Sequence, residues 1–328
     1  MVPGQSSYGR GGGEQIDEPA AIVVQGLVKR YGGRTVVDDV SFSVARGEVV
    51  ALLGPNGAGK TTTVEILEGY RRPDAGTARV LGLDPARDAR RLRAKTGLML
   101  QQGGVFPQLT AREALNLFAS FYPRSADTGE LLALVGLADA AGTRFRQLSG
   151  GQKQRLSLAL ALVGNPELAF LDEPTAAMDP RARRDTWDVV RGLKERGCTV
   201  LLTTHFMDEA EHLADRVAIL KSGRLVAVAT PGELRQRAAR RLHLTTDPAV
   251  APAAVAHALG IDAASVAGGA AGTVVLTVDP TPALIARLTS WLHTQGALLT
   301  GLQAGSQSLE DAYLALTGSP IDGAHEAS

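Results

Sequence analysis

The sequence has little of several features that mark particular classes of protein. It contains one cysteine, Cys198, so an internal disulfide is excluded, and no group of cysteines and histidines has the spacing of metal ligands. Basic and acidic side chains are equal in number, 34 of each, so the chain lacks the overall basic excess that favours binding to duplex DNA. No apolar run approaches the roughly 20 residues that cross a bilayer. If this protein acts at a membrane, another chain must span it.

The charges that are present divide the chain into two parts. Residues 241–328 hold 2 basic and 7 acidic side chains, which leaves 32 basic and 27 acidic side chains in the first 240 residues. This asymmetry indicates two units with different roles. Residues 1–20 are polar and rich in glycine, so we expect a flexible leader rather than a signal peptide or an anchor. Residues 319–328 are expected to form a flexible tail.

The apolar pattern between these ends predicts an α/β fold. Three short strands are expected between Ala21 and Gly54, followed by a helix from Lys60 to about Glu68. Leucine and alanine recur at helical spacing over about 92–161, which predicts a mostly helical insert. The segments PELAFLD and CTVLLTTH are then expected to be strands of a parallel sheet, and VAILKSGRLVAVAT is expected to be a hairpin.

Beyond about Arg240 strands and helices alternate in a different order. A strand over RLHLTT, a helix, a weak strand near Ser265, a strand over TVVLTV, a second helix and a strand over ALLTGLQ predict a βαββαβ unit. A last helix is expected over SLEDAYLALTG. We therefore predict a small accessory α/β domain over residues 241–318.

A glycine-rich loop follows the third predicted strand. Its sequence, Gly54-Pro55-Asn56-Gly57-Ala58-Gly59-Lys60-Thr61, fits the pattern G-x-x-x-x-G-K-[ST]. The glycines allow successive backbone N–H groups to turn towards phosphate oxygens, the lysine supplies a cation, and the threonine hydroxyl can bind magnesium. The helix that begins there adds the positive end of its dipole. The sequence thus predicts a loop that holds the phosphates of a nucleotide.

A later strand ends in two acidic residues. The apolar run 168–171 is followed directly by Asp172 and Glu173. A phosphate loop needs such a strand, because one carboxylate holds the metal ion and another directs the attacking water. We assign Asp172 to magnesium and Glu173 to the water.

A third motif lies between these two. Leu148-Ser149-Gly150-Gly151-Gln152 comes directly before a predicted helix over Gln152–Leu162, so a hydroxyl and backbone amides lie at a helix start and form a second anion site. The three motifs, in this order, resemble those of the ATP-binding cassette (ABC) ATPases, in which this one is the signature sequence. The resemblance covers about 21–230. It implies that the signature of one copy closes over ATP held by the loop of another.

The resemblance also implies a fold. The expected fold class is α/β, a P-loop NTPase of the ABC ATPase type, with a RecA-like core, an antiparallel β subdomain and a helical subdomain over about 92–161. This ABC ATPase domain is expected to span residues 21–240. The accessory domain that follows it is expected to be ferredoxin-like.

The resemblance also implies roles for individual residues outside the three motifs. Tyr31 would stack on adenine, Asp179 would lie at the dimer interface, and His205 would contact the γ-phosphate. Gln101 would contact the metal and couple the site to its partner, with Gln102 as the alternative. The expected ATP contacts are Tyr31, Gly54, Pro55, Asn56, Gly57, Ala58, Gly59, Lys60, Thr61, Thr62, Ser149, Gly150, Gly151, Gln152 and Asp179. The expected catalytic residues are Glu173, His205, Lys60 and Gln101, and the expected metal ligands are Thr61, Asp172 and Gln101.

The second half of the chain narrows the resemblance. The segments TPGELRQ and SLEDAYLALTG make the chain similar to the ATP-binding subunits of ABC-2 type exporters, including the daunorubicin-resistance-like drug efflux group. We therefore expect a magnesium-dependent ATPase that forms a homodimer and drives a separate membrane-spanning permease from the cytoplasmic face of the membrane, without entering the bilayer or binding nucleic acid. Antibiotic or other lipophilic cargo is expected. The alternatives are a soluble ABC ATPase acting on nucleic acid or the ribosome, a nucleotide sensor without turnover, and an importer subunit.

Overall fold

The computed structural model describes residues 20–99, 104–238, 241–269, 272–304 and 308–318. Gln101 and Gln102, the predicted leader up to residue 19 and the predicted tail 319–328 lie outside these ranges.

A six-stranded sheet lies at the centre of the first 238 residues. Its strands are β3 (Val49–Leu53), β5 (Thr96–Met99), β6 (Leu168–Asp172), β7 (Thr199–Thr204), β8 (Arg216–Lys221) and β9 (Arg224–Ala229). The strand order is β5-β6-β7-β3-β8-β9, and every neighbouring pair is parallel except β8 with β9. All residues of β3 and β7 are buried, as expected for a parallel sheet that is covered on both faces.

A second, antiparallel sheet covers one face. It consists of β1 (Ile22–Tyr31), β2 (Arg34–Val44) and β4 (Ala75–Val80), in the order β2-β1-β4. Side chains of β3 alternate between the two faces of the central sheet, so Val50 and Leu52 pack with this antiparallel sheet. Val49, Ala51 and Leu53 point to the helices on the other face.

The helices of this part differ in length and place. They are α1 (Lys60–Leu67), α2 (Ala89–Arg93), α3 (Ala111–Ala119), α4 (Thr128–Leu134), α5 (Gly150–Leu162), α6 (Pro180–Glu195), α7 (Met207–Leu213) and α8 (Pro231–Ala238). Helices α3 to α7 contribute side chains to the core on the second face of the central sheet.

Several sequence predictions are confirmed by these bounds. The three early strands and the helix from Lys60 form, and the predicted hairpin turns at Ser222 and Gly223 between β8 and β9. Both turn residues have a left-handed backbone, with φ of 50° and 81°, as a two-residue hairpin turn requires.

The region over about 92–161 contains a strand that the helical pattern did not predict. Strand β5 is four residues long, too short to show a period of its own, and it pairs in parallel with β6 at the sheet edge. Gly97 allows this packing, because a Cβ atom there would lie 1.9 Å from the backbone oxygen of Ala161 on α5.

The last part of the chain has its own sheet and its own core. Its elements are β10 (Arg241–Asp247), α9 (Pro252–Leu259), β11 (Val266–Gly268), β12 (Thr273–Thr277), α10 (Pro282–Gln295), β13 (Leu298–Ala304) and α11 (Leu309–Thr317). The antiparallel strand order is β11-β12-β10-β13. Helices α9 and α10 cover one face, and the core between them and the sheet includes Leu244, Val255, Leu276 and Leu288.

Helix α11 does not belong to that core. Its Leu309, Ala312 and Tyr313 are buried in the core of the first part of the chain, where α11 contacts α7 and α8. Lys221 Nζ at the end of β8 donates a hydrogen bond to the backbone oxygen of Thr317. The bounds 241–318 remain a prediction for the accessory domain, but the last helix within them packs on its neighbour.

Candidate active site

The glycine-rich loop is held in shape by backbone on two sides. It joins β3 to α1, and a Cβ atom at Gly54 would lie 2.3 Å from the backbone oxygen of Leu220. At Gly59 φ is 98°, and a Cβ atom there would lie 2.6 Å from the backbone oxygen of Val36. Only glycine fits both positions. No side chain caps α1, so the amides at its start are free to bind an anion.

Lys60 lies inside this loop. Its ammonium donates hydrogen bonds to the backbone oxygens of Gly54 at 2.6 Å and Pro55 at 3.2 Å, and the residue is 5% exposed. Burial lowers the pKa of Lys60, and the nearby Glu173 and Asp172 oppose this shift. The structure thus places the Lys60 ammonium close enough to the carboxylates of Asp172 and Glu173 for their charges to interact.

Asp172 ends β6 beside a threonine that sequence reasoning missed. Thr203 on the neighbouring strand β7 donates its hydroxyl hydrogen bond to Asp172 Oδ1. Burial raises the pKa of Asp172, with the Thr203 hydrogen bond opposing it and Glu173 adding to it. The strand period of two could have pointed to Thr203, because it shares a strand face with His205 two residues later.

Glu173 leaves the strand in an unusual backbone conformation. Its φ is 47°, which is strained for a residue with a side chain. Its N–H donates to the backbone oxygen and to the hydroxyl oxygen of Thr203, both at 3.1 Å, and Gln154 Nε2 donates to its carbonyl oxygen at 2.7 Å. These bonds hold the carboxylate at the strand end. Nothing in the sequence singled out Gln154.

His205 follows β7 and lies next to Glu173. The distance from His205 Nδ1 to Glu173 Oε1 is 3.3 Å, and both side chains are mostly buried. The His205 ring also contacts the Phe206 ring, with 4.0 Å between centroids. Two residues far apart in the sequence thereby lie close together at the position where the γ-phosphate is expected.

The residues present fit a magnesium ion that is carried in by a nucleotide. Within the described ranges, no group of three or more His, Cys, Asp or Glu side chains could hold a metal by itself. Mg²⁺ commonly takes one or two protein oxygens and completes its coordination with phosphate and water. Thr61 is exposed in the first turn of α1, directly after Lys60, and the Lys60 ammonium interacts electrostatically with Asp172. Gln101, the third predicted ligand, lies outside the described residues.

The signature sequence forms a helix start of a different kind. Helix α5 begins at Gly150, two residues before the predicted start, because Ser149 caps it: the Ser149 hydroxyl accepts from Gln152 N at 3.2 Å and Gln152 Oε1 accepts from Ser149 N at 2.9 Å. Ser149 and Gly150 are exposed. Gly150 and Gly151 face Ala177 of the same chain, and a Cβ atom on either glycine would lie 3.7 Å from its nearest neighbour.

Asp179 and Tyr31 lie further out. Asp179 caps α6, and its Oδ1 accepts from the backbone N–H groups of Arg181 and Ala182 at 3.0 and 2.9 Å. These bonds lower its pKa, that of Ala182 most. Tyr31 is 39% exposed at the end of β1, and the Cζ of Arg71 lies 5.4 Å from its ring centroid. Arg71 therefore contacts the predicted adenine platform.

Comparison with known proteins shows what this arrangement is similar to. Residues 37–176 match the ABC transporter family. The daunorubicin/doxorubicin resistance ATP-binding protein DrrA of Streptomyces peucetius is 38% identical over 321 residues, which cover 92% of this chain and 94% of that protein. The chain belongs to the ABC transporter family. The Nod factor export ATP-binding protein I of Paraburkholderia xenovorans (strain LB400) is 46% identical over 66% of this chain and 72% of that protein.

Solved structures agree with this membership. The ATP-binding subunit of an ABC transporter has a TM-score of 0.61 and 30% identity, covering 66% of this chain and 92% of the other. An ATP-binding cassette described as a dimeric post-hydrolysis state bound to ADP and Pi has a TM-score of 0.60 and 27% identity, covering 64% of this chain and 98% of the other. The predicted ABC ATPase fold and ATPase activity are confirmed.

This ABC ATPase is the ATP-hydrolysing subunit of an exporter. Members of the family work as ATPase dimers with a membrane permease. None of the helices in the part of the chain that the structure describes has both the length and the apolar character needed to cross a bilayer.

Proposed function

We propose that two copies of this ABC ATPase bind two Mg-ATP molecules at their shared interface and drive a separate permease that exports a drug or another lipophilic compound. The convergence of Lys60, Asp172, Glu173 and His205 carries the proposal, above all the 3.3 Å distance from His205 Nδ1 to Glu173 Oε1. Relatives named for daunorubicin resistance and for Nod factor export support an exported, largely organic cargo.

Each residue has a role that follows from its place. The loop from Gly54 to Thr62 would hold the phosphates, with Lys60 neutralising negative charge. Thr61 and Asp172 would hold magnesium, which when bound supplies a positive charge that draws electron density from the phosphate oxygens. Tyr31 would stack on adenine, with Arg71 keeping its ring in place.

Glu173 would act on the attacking water. Its carboxylate takes a proton from the water as the oxygen bonds to the γ-phosphorus and the bond to the leaving ADP oxygen breaks. His205 keeps Nδ1 towards Glu173, which leaves its other ring nitrogen to donate to a γ-phosphate oxygen. Lys60 and the amides at the start of α1 stabilise the charge that develops.

The second copy would complete the site. The exposed Ser149 and Gly150 at the start of α5 would meet the γ-phosphate held by the partner's loop, and Asp179 would contact the partner beside it. A related cassette that is dimeric with ADP and Pi supports this arrangement. The pair would lie at the cytoplasmic face of the membrane, bound to the permease.

The experiment is the substitution Glu173→Gln. We expect turnover to fall at least about 100-fold, because the general base is lost. ATP binding should persist, and light scattering should show a dimer that is stable with ATP and magnesium. Glu195→Gln, which changes an exposed carboxyl at the end of α6, is the control and should hydrolyse ATP like the parent. Hydrolysis by Glu173→Gln at the parent rate would show that the general base lies elsewhere.

A further inference from the structure

Glu209 on α7 is a buried acid that the mechanism above does not use. The residue is 0% exposed, and neither carboxyl oxygen makes a hydrogen bond of normal geometry. Three buried donors are left in the same condition: Thr175 Oγ1, Arg183 Nε and Trp187 Nε1. We call these four residues the Glu209 cluster. Buried polar groups without well-formed hydrogen bonds destabilise a fold, so four such residues together call for an explanation.

The members of the cluster face one another. Burial raises the pKa of Glu209, and this shift is opposed by hydrogen-bonding contacts from Thr204, Thr175 and Trp187 and by the charge of Arg183. Donors and carboxyl are therefore close enough to interact, yet they do not form hydrogen bonds of normal geometry. These donors and the Glu209 carboxyl could form shorter hydrogen bonds in a second conformation of the site. Catalytic hydrogen bonds that are long without substrate commonly shorten when substrate binds.

The cluster joins the two segments that carry the γ-phosphate residues. Thr175 lies two residues after Glu173, and α6 with Arg183 and Trp187 begins at the Asp179 cap. Glu209 lies in the first turn of α7, four residues after His205.

A second line of contacts runs in parallel with the cluster. The Cζ of Arg183 lies 4.2 Å from the Phe206 ring centroid, and Phe206 in turn contacts the His205 ring. The rings of Trp187 and His212 stack at 4.7 Å. Ring contacts therefore hold α6 against α7 next to the polar groups that lack well-formed hydrogen bonds.

We propose that Glu209 is a positioning residue, whose carboxyl closes hydrogen bonds to Thr175 and Trp187 when the site engages ATP and so fixes the Glu173–Asp179 segment and His205 in one arrangement. The inference rests on the proposed function. Because Glu209 is fully buried on α7, it would act on the rate of the chemical step through residues that contact ATP.

The first test compares kcat and KM for ATP in two Glu209 variants. Glu209→Leu fills the space but accepts no hydrogen bond, and kcat should fall about tenfold while KM changes by less than about threefold. Glu209→Gln keeps an acceptor oxygen and should recover most of the rate. Glu211→Gln, on the same helix, is the control and should behave like the parent, because Glu211 forms a half-exposed ion pair with Arg235 and is not a member of the Glu209 cluster.

A second variant keeps the inference testable if Glu209→Leu does not fold. Thr175→Val removes one donor at nearly constant volume, and kcat should fall with KM retained. In the double variant Glu209→Leu/Thr175→Val, the fall in kcat should be smaller than the two single effects combined, as expected for residues in one network. Additive losses, or an unchanged kcat in both single variants, would overturn the inference.

Fluorescence gives a readout that does not depend on turnover. In a Trp291→Phe chain the emission comes from Trp187, and ATP with magnesium should shift it at a fixed pH. The shift should be lost in Glu209→Leu and kept in Glu209→Gln. If Glu173→Gln abolishes hydrolysis while Glu209→Leu changes neither kcat nor emission, this inference fails and the proposed function stands. If Glu173→Gln hydrolyses ATP normally, the proposed function fails first.

Discussion

Two helices of this ABC ATPase begin at glycine-rich sequences, but the two starts differ in what their glycines do. At α1 the glycines are required by the chain itself. Gly59 has a left-handed backbone, and both Gly54 and Gly59 lie where a Cβ atom would overlap backbone oxygens. The helix start has no side-chain cap, and Lys60 beside it is buried.

At α5 the chain itself gives no reason for glycine. Gly150 and Gly151 are in ordinary helical positions, and a Cβ atom at either would make contacts at 3.7 Å or more. Alanine there would favour the helix by up to about 1 kcal/mol. The cap is already formed by Ser149 and Gln152. Packing within the described chain therefore does not require glycine at the exposed Gly150 or the half-buried Gly151, and the proposed partner with its ATP would supply the missing reason.

Gly59→Ala should have the largest effect on the α1 side of this comparison. We expect a loss of about 3 kcal/mol in the free energy of unfolding, from the positive φ and the contact with the Val36 oxygen, together with loss of ATP binding. Gly33→Ala is the control, because Gly33 also has a positive φ, 81°, but no atom within 4 Å of its Cβ position. Thermal unfolding and nucleotide binding measure both. Equal effects of the two substitutions would contradict the close packing inferred for the loop.

Gly151→Ala should separate folding from function at α5. The melting temperature should stay the same or rise, and a single protomer should still bind ATP. Turnover should fall about 100-fold, as expected when a reacting group is displaced by about 1 Å. A lower melting temperature for Gly151→Ala, or a normal ATPase rate, would contradict the claim that glycine at the start of α5 serves the partner site and not the fold.

Glu68→Gln should reveal a pH dependence on the α1 side. Burial raises the pKa of Glu68, at the end of α1, from 4.5 to about 8, with Asp172 and Glu65 adding to the shift. An acid with a raised pKa stabilises the fold fully below its unfolded pKa, and this stability is lost as pH rises towards 8. Without nucleotide, Glu68→Gln should therefore be more stable than the parent at pH 9, on the order of 2 kcal/mol, and close to it at pH 5. A melting-temperature difference that is equal at both pH values would contradict this.

Ser149→Ala should have the smallest effect on stability, about 1 kcal/mol, because it removes the cap of α5. Ser157→Ala, in the middle of the same helix, is the control and should not lower the melting temperature. Equal melting temperatures for Ser149→Ala and Ser157→Ala would show that the Ser149 cap does not stabilise the fold.

Local patterns allowed most of the site to be predicted from the sequence. The glycine loop, the acidic strand end and the strand before His205 each have a signal within about ten residues. Strand β5 was missed because four residues show no period. The packing of α11 on α7 and α8, the Gln154 bond to Glu173 and the Glu209 cluster were not predicted, because they depend on which elements meet in three dimensions.

The shared interface can be tested most directly by cross-linking two different chains. Both would carry Cys198→Ala and Glu173→Gln; one would add Asn56→Cys in the exposed part of the phosphate loop, and the other Gln147→Cys, also exposed, before the signature. With a short bifunctional maleimide, a cross-linked dimer of the two chains should form when ATP and magnesium are present and should be lost when Lys60→Ala is added to the loop chain. The absence of any ATP-dependent product between the two chains would contradict the proposal that each nucleotide is held by two copies.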